Sequence, residues 1–99
     1  MRTLLVGVGV EWRGIVRRVL ETRGHDLSTV AMDGQTALEA VQREQPGLVI
    51  VEDPLSDMRA AEFCHRTRAL AEGEHAVILV IASQLDELAV VLDAGATDL

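Results

Sequence analysis

One stretch decides the fold of this chain: Leu48-Val49-Ile50-Val51-Glu52-Asp53-Pro54. Four consecutive aliphatic residues run directly into two carboxylates and a proline. An unbroken aliphatic run is typical of a strand buried on both faces, as in a parallel sheet that is covered by helices. In open α/β sheets, ligand-binding sites lie at the carboxyl ends of such strands. Glu52 and Asp53 are therefore the first candidate functional residues.

Length and composition indicate one aliphatic domain. The chain has 99 residues, of which 48% are hydrophobic and only 2% aromatic, so its core must consist mainly of Val, Leu, Ile and Ala. The formal net charge of −7 disfavours nucleic acid or an anionic membrane surface as the partner. The N-terminus does not resemble a signal peptide, and no apolar run is long enough to span a bilayer.

Strand patterns alternate with helical patterns along the chain. Strands are predicted at 3–6, 27–31, 48–51 and 76–82, with the start of a fifth at 97–99. Helices are predicted from about Trp12 to a stop at Gly24, after a cap at Asp33, from 59 to 70, and from 85 to 92. We expect the strand at 76–82 to be fully buried. This alternation predicts right-handed crossovers and a parallel sheet with helices on both faces.

Four segments resemble the receiver domain of bacterial two-component response regulators. They are Leu4-Leu5-Val6, Met32-Asp33-Gly34-Gln35-Thr36-Ala37-Leu38, Pro46-Gly47-Leu48-Val49-Ile50-Val51 and Leu92-Asp93-Ala94-Gly95-Ala96-Thr97-Asp98. The resemblance covers essentially the whole chain, and it implies a flavodoxin-like α/β fold. That fold is a three-layer sandwich with a parallel sheet in the order 2-1-3-4-5. We expect residues 1–99 to form one receiver-like domain that lacks its last helix at the C-terminus.

The resemblance also implies a chemistry, from which this sequence departs. Receivers accept a phosphoryl group from a partner histidine on an aspartate, with the help of Mg²⁺. Carried over to this chain, the metal-binding acid pair falls on Gly7 and Val8, and the acceptor aspartate falls on Glu52. The Thr or Ser that contacts the phosphoryl group falls on Ile81, and the Lys would lie just beyond Leu99.

These departures predict a degenerate receiver. Mg²⁺ requires oxygen ligands, usually one or two of them carboxylates, and glycine and valine supply none from their side chains. Without the metal, phosphoryl transfer loses its main charge neutralisation. We therefore expect no bound Mg²⁺ or other cofactor, no catalytic residue and no enzymatic activity. The domain would act in the cytoplasm through protein contacts, with a histidine kinase or an attached output domain as partner. A homodimer is expected where the missing helix leaves apolar surface exposed.

Two interpretations of Glu52 remain open, together with an alternative acceptor. Glu52 could imitate the phosphorylated state permanently, because its carboxylate reaches one methylene farther than that of Asp. The other interpretation is a solvated acid at the end of a strand. Asp53 would be the acceptor if the strand slipped by one residue, but such a slip needs a bulge, because it turns each side chain to the opposite face.

Other patterns carry weaker hypotheses. Gly7-x-Gly9 lies between a strand and a helix, as in a dinucleotide site, but Trp12 occupies the third glycine position. A basic face on the first helix is either solvated or a docking surface, and it consists of Arg13, Arg17 and Arg18. Cys64 is expected in the core and His65 on the surface. The three histidines are too scattered for a zinc site.

Overall fold

The computed structural model describes residues 2–24 and 26–81. The elements in chain order are β1 (Arg2–Val6), α1 (Val10–Thr22), β2 (Asp26–Ala31), α2 (Gly34–Glu44), β3 (Leu48–Glu52), α3 (Ala60–Ala69), a short 3₁₀ turn (Ala71–Gly73) and β4 (Val77–Ile81). The predicted strands and helices therefore occur in the predicted order as far as Ile81. The predicted helix at 85–92 and strand at 97–99 lie outside the described residues.

The four strands form one parallel sheet in the order β2-β1-β3-β4. This order confirms the flavodoxin-like arrangement for the described strands. β1 and β3 lie at the centre of the sheet and pair residue for residue from Thr3↔Leu48 to Val6↔Val51. None of the helices in the described ranges is long and apolar enough to cross a membrane.

Two apolar cores lie on opposite faces of the sheet, which makes three layers. The larger core packs α2 and α3 against one face and contains Phe63, the largest fully buried side chain. The smaller core packs Leu20 of α1 against Leu5 and Ile50 on the other face. Because successive side chains of a strand point to opposite faces, β1 and β3 contribute to both cores. This explains their unbroken aliphatic sequences.

The prediction that the fourth strand is fully buried was wrong. Ile78 and Val80 are fully buried in the larger core, but the side chains of Val77 and Ile81 are 36% and 37% exposed. The exposed residues lie on the opposite face, where Leu79 only packs against the margin of the smaller core under α1. An aliphatic run fixes the strand, but it cannot indicate which faces the helices cover.

The turns around α2 follow the sequence signals. The Asp33 side chain accepts a hydrogen bond from the Thr36 backbone N–H at 2.7 Å, which confirms the predicted cap. The apolar residues of α2 are buried: Ala37, Leu38, Ala40 and Val41. Because the sheet is parallel, the helices that follow β1, β2 and β3 all begin at one edge, which we call the carboxyl edge. Candidate functional residues meet there.

Candidate functional site

The loop after β1 is filled with apolar groups where the resemblance expects two acids. Gly7 has a φ of +66°, a left-handed conformation that favours glycine. A Cβ atom at Gly7 would lie 2.6 Å from Cδ2 of Leu55, which is itself buried. Val8 is fully buried in the smaller core under α1. An acid at Gly7 would therefore have a strained backbone, and the Leu55 side chain would have to move to make room for it.

Glu52 ends β3 and turns its carboxylate toward α1. Its Oε1 accepts a hydrogen bond of 3.1 Å from the backbone N–H of Gly9, the residue that precedes α1. A carboxylate at this position also interacts favourably with the positive end of the helix dipole. Glu52 is half-buried. Glu52 is therefore not only in contact with solvent, because the loop after β1 brings a backbone donor within its reach.

Asp53 is buried and uses both of its carboxylate oxygens. Its side chain is in a bidentate ion pair with Arg59, with Oδ1 3.2 Å from Nε and Oδ2 2.7 Å from Nη2. Oδ1 also accepts a hydrogen bond of 2.7 Å from the Ala60 backbone N–H, at the start of α3. Asp53 is 4% exposed, whereas the Arg59 side chain is 58% exposed. The Asp53–Pro54 peptide bond is cis.

Asp57 fastens the loop after β3 to α2. Its two oxygens accept hydrogen bonds from the backbone N–H groups of Gly34, at 2.8 Å, and Gln35, at 3.0 Å. These two bonds are the main reason that the pKa of Asp57 lies below its ordinary value. Met58 packs against Gly34, where a Cβ atom would lie 2.5 Å from the methionine sulfur. Neither Asp57 nor Arg59 was predicted from the sequence as a functional residue.

The residues predicted around this edge are only partly brought together. Ile81 lies opposite Glu52 at the ends of β3 and β4. Arg13 donates from Nε to the Val8 carbonyl at 3.0 Å and from Nη2 to the Met32 sulfur at 3.2 Å. The predicted basic face is therefore divided: Arg13 is half-buried against the loop after β1, and the other two arginines, Arg17 and Arg18, are exposed.

Mg²⁺ does not fit the described residues of this edge. Gly7 and Val8 offer no side-chain oxygen, and the Asp53 oxygens already hold Arg59 and the α3 N-terminus. Nowhere in residues 2–24 and 26–81 do three or more His, Cys, Asp or Glu side chains come together as a metal site would require. The carboxylates that remain at the edge bind N–H groups of the chain itself.

Two further predictions concern residues away from the edge. Cys64 is buried in the larger core, as predicted, and burial raises the pKa of its thiol to about 11. Cys64 therefore stays protonated and acts as a small apolar side chain. His65 is exposed, as predicted.

Comparisons with known proteins give relatives of one kind. No family model matches the chain. It is 30% identical over 98 residues to the response regulator MprA of Mycobacterium leprae and 26% identical to MprA of Mycobacterium avium. These alignments include 99% of this chain but 42% of each relative, so the chain spans less than half the length of the curated relatives it matches.

Solved structures share the fold. The chemotaxis response regulator CheY4 of Vibrio cholerae has a TM-score of 0.85 at 23% identity, over 98% of this chain and 82% of that one. The receiver domain of the sensor histidine kinase PA1611 of Pseudomonas aeruginosa has a TM-score of 0.83 at 20% identity, over 98% of this chain and 80% of that one. That domain holds a magnesium ion in its active-site cleft.

The buried ion pair predicts a non-additive effect on stability. Replacing Arg59 by Met leaves the buried Asp53 carboxylate without its cation, which should lower the free energy of unfolding by about 1–3 kcal/mol. Adding Asp53→Asn should recover part of that loss, because Asn is neutral and can still accept from Ala60. Urea denaturation of the two single variants and the double variant measures this coupling. Strict additivity of the two substitutions would contradict it.

The Asp57 contacts predict a pH dependence. Because the pKa of Asp57 is lower in the folded chain than its ordinary 3.8, the carboxylate contributes stability above that value. The contribution is lost as the pH falls through the folded pKa. The difference in free energy of unfolding between the wild type and Asp57→Ala should therefore be largest near neutral pH and should decrease below about pH 4. Urea denaturation at a series of pH values tests this, and Ser56→Ala, at an exposed neighbour, should show no such trend.

Proposed function

We propose that this chain, a receiver domain by its fold and by its similarity to response regulators, is a two-component signalling module that works without being phosphorylated. It would act through protein contacts and would have no enzymatic activity of its own. Its partners would be a histidine kinase or an output domain, in the cytoplasm. The fold positions the carboxyl edge as in receivers, while the groups at that edge have different chemistry.

The single observation that carries this proposal is the hydrogen bond that the Glu52 carboxylate accepts. In the position of the phosphoryl acceptor, the chain has a carboxylate whose Oε1 already binds the Gly9 N–H. The neighbouring positions of the metal-binding acids are glycine and buried valine. Without a metal ion held there, a phosphoryl donor would meet a negative carboxylate whose developing charge Mg²⁺ does not neutralise. Phosphorylation at this edge is therefore unfavourable.

The same contact bears on whether Glu52 imitates a phosphoryl group. A glutamate that imitates the phosphorylated state should contact the residue at the end of β4, because in receivers that residue contacts the phosphoryl group. That position is Ile81, whose side chain has no donor. Glu52 instead contacts the loop that precedes α1. The contact supports a structural role for Glu52, as an acceptor for the helix, over imitation of the phosphorylated state.

Two alternative functions have less support. Phosphorylation of Asp53 would require the β3 register to slip, but β3 and β4 pair residue for residue from Leu48↔Val77 to Glu52↔Ile81. Asp53 is also buried against Arg59. A nucleotide at Gly7-x-Gly9 would place its phosphates at the N-terminus of α1. The Glu52 carboxylate already lies there and would repel them.

Phosphorylation independence predicts a negative result with a matched positive control. Incubation with Mg²⁺ and acetyl phosphate should add no phosphoryl group to the chain by intact-protein mass spectrometry. Calorimetry should detect no saturable Mg²⁺ binding up to about 10 mM, because the edge offers too few carboxylate ligands. The PA1611 receiver domain serves as the control, because its cleft holds Mg²⁺. A phosphoryl adduct that maps to Glu52 or Asp53 would overturn the proposal.

The exposed arginines of α1 suggest where a partner would dock. Arg17 and Arg18 lie in exposed positions of α1. On a chain with a net charge of −7, these two arginines fit a partner surface with acidic groups. We include only these two arginines in the docking face, because Arg13 is bound to the loop after β1.

This docking face predicts charge-dependent binding. Arg17→Glu combined with Arg18→Glu should weaken binding to a soluble histidine-kinase core about tenfold at low salt, and less at high salt, because exposed charges are screened. Arg43→Glu combined with Arg66→Glu is the matched control, since it makes the same change in net charge at two exposed arginines that lie on α2 and α3. Calorimetry with each variant measures the difference. Equal losses for both variants would assign the effect to net charge and not to α1.

A further inference from the structure

One short segment reaches the beginning of three different helices. We call residues 52–58 the clamp segment. Its carboxylates accept backbone hydrogen bonds at each helix start: Glu52 from Gly9 before α1, Asp53 from Ala60 in α3, and Asp57 from Gly34 and Gln35 in α2. The segment thus connects α1, α2 and α3 at the carboxyl edge.

The helices need these acceptors from outside. The first N–H groups of a helix have no partner within the helix, and the residue just before it usually supplies one. Here α1 is preceded by Gly9, which has no side chain, and α3 by Arg59, whose guanidinium can only donate. In α2, Asp33 satisfies the Thr36 N–H, and Asp57 satisfies those of Gly34 and Gln35.

Apolar contacts hold the same segment in place. Leu55 packs against Gly7 and Met58 against Gly34, and both glycines are positions where a Cβ atom would collide with the packed side chain. The backbone N–H of Leu55 donates to the carbonyl of Met58 at 3.0 Å, which closes the segment into a turn. The clamp segment therefore contacts the loop after β1 and the start of α2 through both its polar and its apolar side chains.

We infer that the clamp segment is an internal lock that holds the starts of α1, α2 and α3 in one arrangement without any ligand. The lock goes beyond the proposed function, because it concerns what sets the conformation and not which partner reads it. Since its contacts share one short stretch of backbone, releasing one of them displaces the others. The carboxyl edge therefore opens as a cooperative unit.

Amide hydrogen exchange, followed by NMR on the whole chain, tests the lock. Asp57→Ala removes the acceptor at α2. It should speed exchange about tenfold at Gly34 and Gln35, as expected for the loss of charge-assisted hydrogen bonds. If the unit is cooperative, exchange should also accelerate several-fold at Gly9 and Ala60, which Asp57 does not contact. Ser56→Ala, an exposed position in the same segment, should leave all four amides unchanged.

A second pair of variants approaches the lock from α1. Gly9 has a φ of −62°, which proline also adopts, so Gly9→Pro removes the N–H donor while keeping this backbone angle. Gly9→Ala is the matched control, because it adds a side chain but keeps the donor. Gly9→Pro, but not Gly9→Ala, should speed exchange at Gly34 and Gln35. This comparison remains informative if Asp57→Ala unfolds the chain.

The outcomes separate the lock from the proposed function. If hydrogen exchange accelerates only at the amides nearest each substitution, the lock is overturned. It is also overturned if Gly9→Pro and Gly9→Ala change the exchange rates at Gly34 and Gln35 equally. Addition of Mg²⁺ with beryllofluoride to the wild type should leave the exchange rates of all four amides unchanged. A changed rate would contradict an arrangement that is set without ligand. Labelling by acetyl phosphate tests the proposed function alone, and coupled exchange tests the lock alone.

Discussion

Backbone N–H groups at the starts of three helices must find acceptors at one edge of a parallel sheet, and this requirement governs the rest of the structure. In a parallel sheet the helices after β1, β2 and β3 all begin at the same edge, so their unpaired donors are concentrated there. Carboxylates between Glu52 and Asp57 accept from these donors. The loop after β3 is therefore part of the framework of the domain and not only a connection between β3 and α3.

This arrangement gives the edge a different chemistry from that of a metal-dependent site. Open α/β sheets bind anions at helix starts, where N–H groups and the helix dipole attract negative charge. Here carboxylates of the chain itself occupy those places, and a phosphate or nucleotide would meet negative charge. Leu55 packs beside Gly7, where the resemblance places one of the metal-binding acids. The edge lies where the resemblance places a phosphorylation site, but Glu52, Gly7 and Val8 stand at the positions of the acceptor and of the metal-binding acids.

Local signals in the sequence predicted much of the fold and less of the site. The aliphatic runs predicted where the strands lie along the chain, and Asp33 predicted the start of α2, because burial and capping depend on residues close in sequence. The order of the strands within the sheet was predicted from the family resemblance. Gly7, Val8 and Glu52 were located at the edge through the family resemblance. Asp57 was missed, since the amides that it binds lie more than twenty residues earlier in the chain, at Gly34 and Gln35.

By itself, the sequence determined the alternation of strands and helices, the aliphatic character of the core and the absence of an acid pair after β1, because residue type and periodicity fix these properties. Only the tertiary structure decided what the remaining carboxylates do. Whether Glu52 is solvated, acts as an acceptor or binds a metal depends on which backbone donor the fold brings within about 3 Å of it, the length of a hydrogen bond. That donor, the Gly9 N–H, belongs to a loop that lies far from Glu52 in sequence.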